Sequence, residues 1–446
     1  MRKLGRLLRR PAGKKTNWAL EGNALVITLV TALVIGLILS GYLNLVSNQN
    51  ISTTRALAWN SAIPVLEAGI EEALAHIHRR DLVNLGADGW VRTEGGLYAK
   101  ERSLEGSSHF EVTIEPVDPP VILATGYVLA PLSSSANLNP HYVRRTVRVR
   151  TRHDSMFSKP MLAKEKIDLN GKNIQTDSFD SADPLYNTNG QYDPSKTRDH
   201  GDIATNSGLV DSLKSGNARI KGHASTGPGG TVAIGSNGTI GSQDWVDSGK
   251  KGVEPGYVSD DMNFEFPDVL PPFDGGYSTP AGGTVNDVTY NYVLGTGNYK
   301  LNTIKGSVLV VGQATLWVTD IVQFTGNDFI KIAPGGSLKL YVSATKASIG
   351  GKGVINATGY AANFQYYGLP SNTSLALAGN AAFAGVIYAP QAEFQLDGGG
   401  NTVYDFVGAS ISRTVKMNGH FNFHYDEDLG RHGPYRPYVA DSWNEI

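Results

Sequence analysis

The tightest group of side chains that could do chemistry is Asp177, Asp180 and Asp183. Paired carboxylates serve as acid and base in glycoside hydrolysis and also hold calcium. Asp177 and Asp180 are three apart, so a regular strand cannot put them on one face, although a turn can bring them together. Just beyond, Asn187, Asn189, Gly190 and Asp193 match part of a calcium loop but lack its first ligands and terminal bidentate Glu. Asx-turns explain the same residues without an ion. A second set, His420, Asn422, His424 and Asp426, alternates and projects to one face of a strand, a spacing compatible with a metal patch. A polar cap on a β-stack is the competing explanation. Tyr360, Phe364, Tyr366 and Tyr367 form a candidate aromatic platform for polysaccharide or a protein partner, or else core and corner residues.

Other chemistry is missing. There is no Walker A loop, HExxH, GxSxG or GxGxxG, and Gly227-Pro-Gly-Gly230 lacks the Lys-Ser/Thr of a phosphate cradle. Cysteine is absent, which excludes disulfides, Cys-ligated zinc, Fe–S clusters and thiol nucleophiles. With 39 basic and 41 acidic residues in 446, the net charge of −2 argues against a nucleic-acid partner. No cofactor is implied beyond structural calcium.

The elements that position these residues begin with a basic leader, 1–22, carrying seven Lys and Arg between Arg2 and Lys15. An uncharged apolar run follows over 23–47, long enough to span a bilayer. The positive-inside rule keeps the N-terminus cytoplasmic and the rest extracytoplasmic, in the periplasm or at the cell surface. Gly22 before Asn23 marks a candidate processing site of prepilin type, with a plain single-pass anchor as the alternative. Ile27 stands where that class often carries Glu. Residues 48–152 read as a helix with an apolar stripe of Ile63, Leu66, Ile70, Leu74 and Ile77, in which Pro64 opens a new helix or kinks a continuous one. An antiparallel meander follows at 110–116, 121–129 and 142–150, its last strand an Arg-rich solvated edge.

The leader, the Gly-capped apolar helix, Leu66-Glu-Ala-Gly-Ile-Glu-Glu-Ala-Leu74 and the closing Arg145-Thr-Val-Arg-Val resemble the N-terminal module of PilX-type minor pilins over about residues 15–152. That resemblance implies a membrane-anchored protein partnered by pilin or secretion-apparatus subunits.

Forty of the 52 glycines lie after residue 160. Short strands there end in an apolar residue, a spacer and Gly, as in Leu377-Ala-Gly379, Leu396-Asp-Gly398 and Met417-Asn-Gly419. The glycine spacings of 19 and 21 suggest one turn per stacked coil. The fold expected is therefore mainly β: a transmembrane, pilin-like helix with a small antiparallel meander, then a large right-handed parallel β-helix (solenoid) over 153–430. A β-sandwich is the rival. Pro267, Pro271, Pro272 and Pro280 mark a loop or inter-lobe linker at 266–283, and 431–446 reads as a C-terminal tail.

This region also resembles an uncharacterised C-terminal module found on PilX-type and other surface-anchored bacterial proteins. The matching strings are Asp177-Ser-Phe-Asp-Ser181, Gly222-His-Ala-Ser-Thr-Gly-Pro-Gly-Gly230, Gly368-Leu-Pro-Ser-Asn-Thr-Ser374, Phe383-Ala-Gly-Val-Ile-Tyr-Ala-Pro390, Met417-Asn-Gly419 and Phe423-His-Tyr-Asp-Glu427. It implies a β-helical architecture and no established reaction. The function expected is a non-enzymatic, membrane-anchored component of a pilus-like or secretion-linked surface assembly, presenting its ectodomain for binding or adhesion. The alternatives are an extracellular polysaccharide lyase or hydrolase, and a self-assembling structural surface protein.

Overall fold

A computed structural model describes residues 18–79, 82, 85–130, 141–170, 174–378, 383–397, 403–418 and 421–446. The chain divides into two units, Met1–His153 with Pro437–Ile446, and Asp154–Arg436.

The first unit is built on one 62-residue helix, Trp18–Arg79, with Pro64 inside it. Its apolar part is long enough to cross a membrane, with a mean hydropathy of 2.5, and none of that stretch is buried. The later turns bury Ala62, Leu66, Ile70, Ala73 and Ile77 in a core shared with Phe110, Val112, Ile122 and Ala124. Of the expected stripe, Ile63 and Leu74 are only half-buried, and the small residues Ala62 and Ala73 replace them at the contact. The helix runs close to the sheet there. A Cβ added at Gly126 would sit 2.5 Å from the Ala62 carbonyl oxygen, so only glycine fits.

The sheet under the helix runs antiparallel through Tyr98–Ser103, His109–Glu115, Val121–Leu129 and Tyr142–Ser155. Two expectations change here. The Arg-rich strand Tyr142–Ser155 is not an edge, because Tyr435–Glu445 lies beside it. Residues 431–446 are correspondingly no free tail. The Arg145 guanidinium holds the Glu445 carboxylate through two bonds of 2.7 and 2.5 Å, and the Ile446 N–H donates to the Thr146 carbonyl at 3.1 Å. That fork geometry fixes the register of the added strand.

In the second unit the strands stack in parallel along three ladders of inward side chains. One reads Val308, Ile330, Val354, Phe383, Phe406, Phe423, Thr176, Ile220, Ile240. Another reads Phe324, Ile349, Leu377, Leu396, Met417, Leu169. The third reads Leu316, Leu340, Tyr366, Ile387, Ser410, Met161, Ile203, Ala224. Period-two alternation sends these residues inward and their neighbours outward, so the ladders fuse into one buried core. The expected column Leu377–Leu396–Met417 is present. Gly379, Gly398 and Gly419, which were to close its coils, lie outside the described residues. A repeat of about 20 residues holds only locally: Ile349 to Leu377 is 28 residues, and Ile167 to its partner Leu213 is 46.

The order of strands along the stack is not the order of the chain. It runs from 292–304 through 307–324, 329–349, 354–378, 383–397 and 404–426, then continues with 161–179, 203–221, 224–241 and 252–259. The chain therefore enters in mid-stack, builds to one end, returns to the other end, and builds back to its starting point. Residues 260–282 make the return. The Met262 N–H donates to Thr226, Asn206 exchanges two bonds with the Phe264 backbone, and the Tyr388 hydroxyl donates to the Pro267 carbonyl at 2.7 Å. Gln391 donates to Asp268, Phe273 meets Trp317 edge-on at 5.8 Å, and the Ser278 N–H reaches Asn298. The Pro-rich stretch is thus a strap along one side of the stack, not a linker between lobes. Proline suits it because an extended strap needs few N–H donors.

Leu396 is fully buried between Leu377 and Met417, whereas Gln395 is half-buried and faces outward. Leu396→Asp is expected to cost more than about 3 kcal/mol, because it places an unpaired charge in the core. Gln395→Asp should cost less than about 1 kcal/mol. Denaturant unfolding of the two variants measures the difference, and equal tolerance would refute the ladder.

Candidate functional site

Two of the side chains singled out for chemistry, Asp177 and His424, meet where the chain closes its stack. The last strand of the second unit, Phe421–Asp426, lies between Tyr404–Asn418 and Gln175–Phe179, so it is interior and not a terminal cap. Parallel register places His424 directly beside Asp177. Both are buried, with His424 Nδ1 at 2.5 Å from Asp177 Oδ1 and Nε2 at 3.2 Å from Asp405 Oδ1. Both ring nitrogens face carboxylates, and only a doubly protonated imidazole can donate to both. Burial opposes that charge, but hydrogen bonds and charges from Asp177 and Asp405 outweigh it and hold the imidazole above its ordinary pKa. The Asp405 carboxyl is pulled down by its bond to His424 against the effect of burial. Tyr192 stacks on the imidazole with centroids 3.6 Å apart and donates to Asp177 Oδ2 at 3.1 Å, as Gln175 does at 2.9 Å.

The other aspartates do not converge on Asp177. Asp180 accepts from Arg431 at 2.6 Å and from the Ala182 N–H. Burial raises its carboxyl, but Arg431 together with the Ala182 and Asp183 N–H groups outweighs burial and leaves it below the usual range. Asp183 accepts from the Leu185 N–H and caps the short 3-10 turn Pro184–Tyr186. The calcium-loop residues are equally occupied. The Asn187 amide donates to the carbonyls of Asp180, Ser181 and Asp183, its oxygen accepts from Gly190, and Asp193 accepts from Ser195 and Thr188. Among the described residues no group of three or more His, Asp or Glu is arranged to hold a metal ion. His420 lies outside the described residues, and Asn422 makes only a long bond to Asp405.

Further ties cross the same junction. Glu427 accepts from Ser178 at 2.8 Å and pairs with His200 at 2.7 Å and Arg198 at 2.9 Å. The Glu427 bond raises the His200 pKa against burial. Asp426 accepts the Ser181 N–H at 3.0 Å, and burial pushes its carboxyl up to about 6. Local sequence carried no sign of these pairings, because the partners are more than 200 residues apart. The network contains no activated nucleophile, and its polar groups bond one another. Chemically it is a lock.

The aromatic platform does not form. Phe364 and Tyr366 are in the core, with the Tyr366 hydroxyl donating to Asn372 at 2.9 Å. Tyr367 faces out but is buried on Tyr341, in a satellite cluster beside the strap's Val269 and Phe266. Tyr360 alone is exposed, at 47%, and its hydroxyl end lies against Gly190. Gly22 and Asn23 lie within the long helix.

The family profile of a domain of unknown function, DUF7305, matches residues 278–432, about a third of the chain. No curated protein matches. One solved structure that aligns is the competence-associated pilin ComZ from Thermus thermophilus, at 8% identity, covering 89% of this chain and 98% of that one. Its TM-score of 0.24 does not establish a shared fold.

The raised imidazole sets a pH dependence. A group whose pKa is higher folded than unfolded stabilises fully below its unfolded value, about 6.5 for His. That contribution is lost as the pH climbs through the folded value. Asp426 acts in the same sense, losing its contribution as the pH rises from about 4 through 6. His424→Gln should therefore cost about 3 kcal/mol near pH 6, by leaving the buried Asp177 carboxylate without its cation. The gap from wild type should narrow by pH 9. Urea unfolding across that range checks it, and a gap that widens with pH would contradict the assignment.

Proposed function

We propose that the protein is a membrane-anchored, pilin-like component of a pilus or secretion-linked surface assembly. It is processed between Gly22 and Asn23, and it presents a right-handed β-helical ectodomain for binding or adhesion. The observation that carries this reading is the division of labour in one helix. Its first half exposes an apolar stretch of membrane-spanning length, and its second half is sewn to an antiparallel sheet. A helix hydrophobic all round with no protein cover needs lipid or other apolar helices about it. Pilin or secretion-apparatus subunits are the partners this fits.

The basic residues before the apolar stretch put the N-terminus in the cytoplasm and the second unit outside. The three parallel ladders support the β-helical reading of that unit. The protein is read as a non-enzyme because Asp177 and Asp180, two of the carboxylates singled out for catalysis, are held by His424 and Arg431 across the stack junction.

Orientation is tested with reporters fused after Ile446. A phosphatase that folds only outside the cytoplasm should be active, and a fluorescent reporter that folds only inside should be dark. The reverse pattern would overturn the topology. Intact-mass measurement of the native protein should show a chain beginning at Asn23, and an uncleaved leader would reduce the anchor to a plain transmembrane helix.

A further inference from the structure

Two hollows of 560 Å³ each lie on the outside of the second unit. One is bounded by Thr319, Thr345, Lys346, Ser348, Ser374 and Ala376, the other by Lys164, Lys166, Leu209, Val210, Ser212 and Lys214. They are far apart in the chain but lie on the same outward ladders. Lys346, Ser374, Glu393, Thr414 and Lys166 follow one another in register, as do Ser348, Ala376, Gln395, Lys416, Asp168 and Lys214. Each ladder starts in the first hollow and ends in the second. Parallel strands are spaced about 4.8 Å apart, so polar groups recur at that interval along the line joining the hollows. The strap bonds to Thr226, Asn206, Tyr388, Gln391 and Asn298 and meets the Trp317 ring, none of which lines either hollow.

The chemistry along the line is mixed. Hydroxyls and an amide stand among the five lysines Lys164, Lys166, Lys214, Lys346 and Lys416, which are offset by the five carboxylates of Glu165, Asp168, Asp211, Asp320 and Glu393. Lys166 is itself paired with Asp168 at 3.2 Å, and Glu165 with Arg413 at 3.1 Å. Such a surface offers donors and acceptors together without a net field that would select a polyanion. Its repeat and length suit a linear chain of hydroxyl groups lying along the stack.

We propose that this face is a binding groove for a linear, neutral polysaccharide. The proposal deepens the surface-assembly reading and rests on it for its setting. Full-length protein in detergent is to be run by affinity electrophoresis through gels containing soluble linear glucans or chito-oligosaccharides, with polygalacturonate as the anionic comparison. Retardation by a neutral polymer is expected. Ser374→Trp, in the first hollow, and Lys214→Trp, in the second, should each weaken binding at least tenfold with melting temperatures unchanged. Lys331→Trp, on a different ladder, should leave binding as it was. Loss in only one of the two groove variants would refute a continuous groove. Binding of polygalacturonate alone would refute a neutral ligand, and no retardation by any polymer would refute the site. None of these results alters the reporter test of membrane topology, so the two readings fail separately.

Discussion

Everything in the second unit depends on one junction made late in the chain, the seating of Tyr404–Asn418 and Phe421–Asp426 on Met161–Leu169 and Gln175–Phe179. Without it the stack is two pieces, one built from 161–259 and one from 292–426. Apolar stacking alone would hold them, since Val415 lies beside Ile167 and Met417 beside Leu169 across the junction. The charges add selectivity. A buried imidazolium between two carboxylates is costly in any register that separates them. A slip by one residue would move His424 off Asp177 and turn alternate side chains to the wrong face. The Arg431–Asp180 and Glu427–His200 pairs repeat that demand a few residues further on.

The strap follows from the same arrangement. A chain that starts and finishes in mid-stack must travel the full length once without adding a strand. That return covers the outward residues Leu162, Tyr367, Tyr388 and Ile411, which form a second cluster with Val269 and the strap phenylalanines. An outward aromatic ladder left open would be an apolar patch of the kind that invites association. The strap removes it.

Much of this architecture was written locally. Alternation at 386–396 and 409–417 and the run of prolines are short-range signals, and they match the parallel stacking and the extended break. The apolar helix and the meander were equally legible. What local patterning could not give was pairing between distant residues. Asp177 looked like a member of an aspartate trio because Asp180 and Asp183 were its visible neighbours. Its true partner, His424, is 247 residues away. The aromatic cluster misled for a related reason. Alternation shows which of Phe364, Tyr366 and Tyr367 faces out, but not that a strap from elsewhere covers Tyr367. The Arg-rich strand looked like an edge because its neighbour comes from the far end of the chain.

The closing contact also sets an order of assembly. Most ladder pairings join residues about 15 to 30 positions apart, as Leu377 joins Leu396, and such short loops close at little entropic cost. The junction closes a loop of nearly 250 residues and depends on the return strap having already run the length of the stack. The two arms can therefore form early and separately, each with one unfinished surface. In a chain emerging N-terminus first, Asp177 waits without its cation until residue 424 arrives. Completion of the stack thus reports that the chain has been made through residue 426.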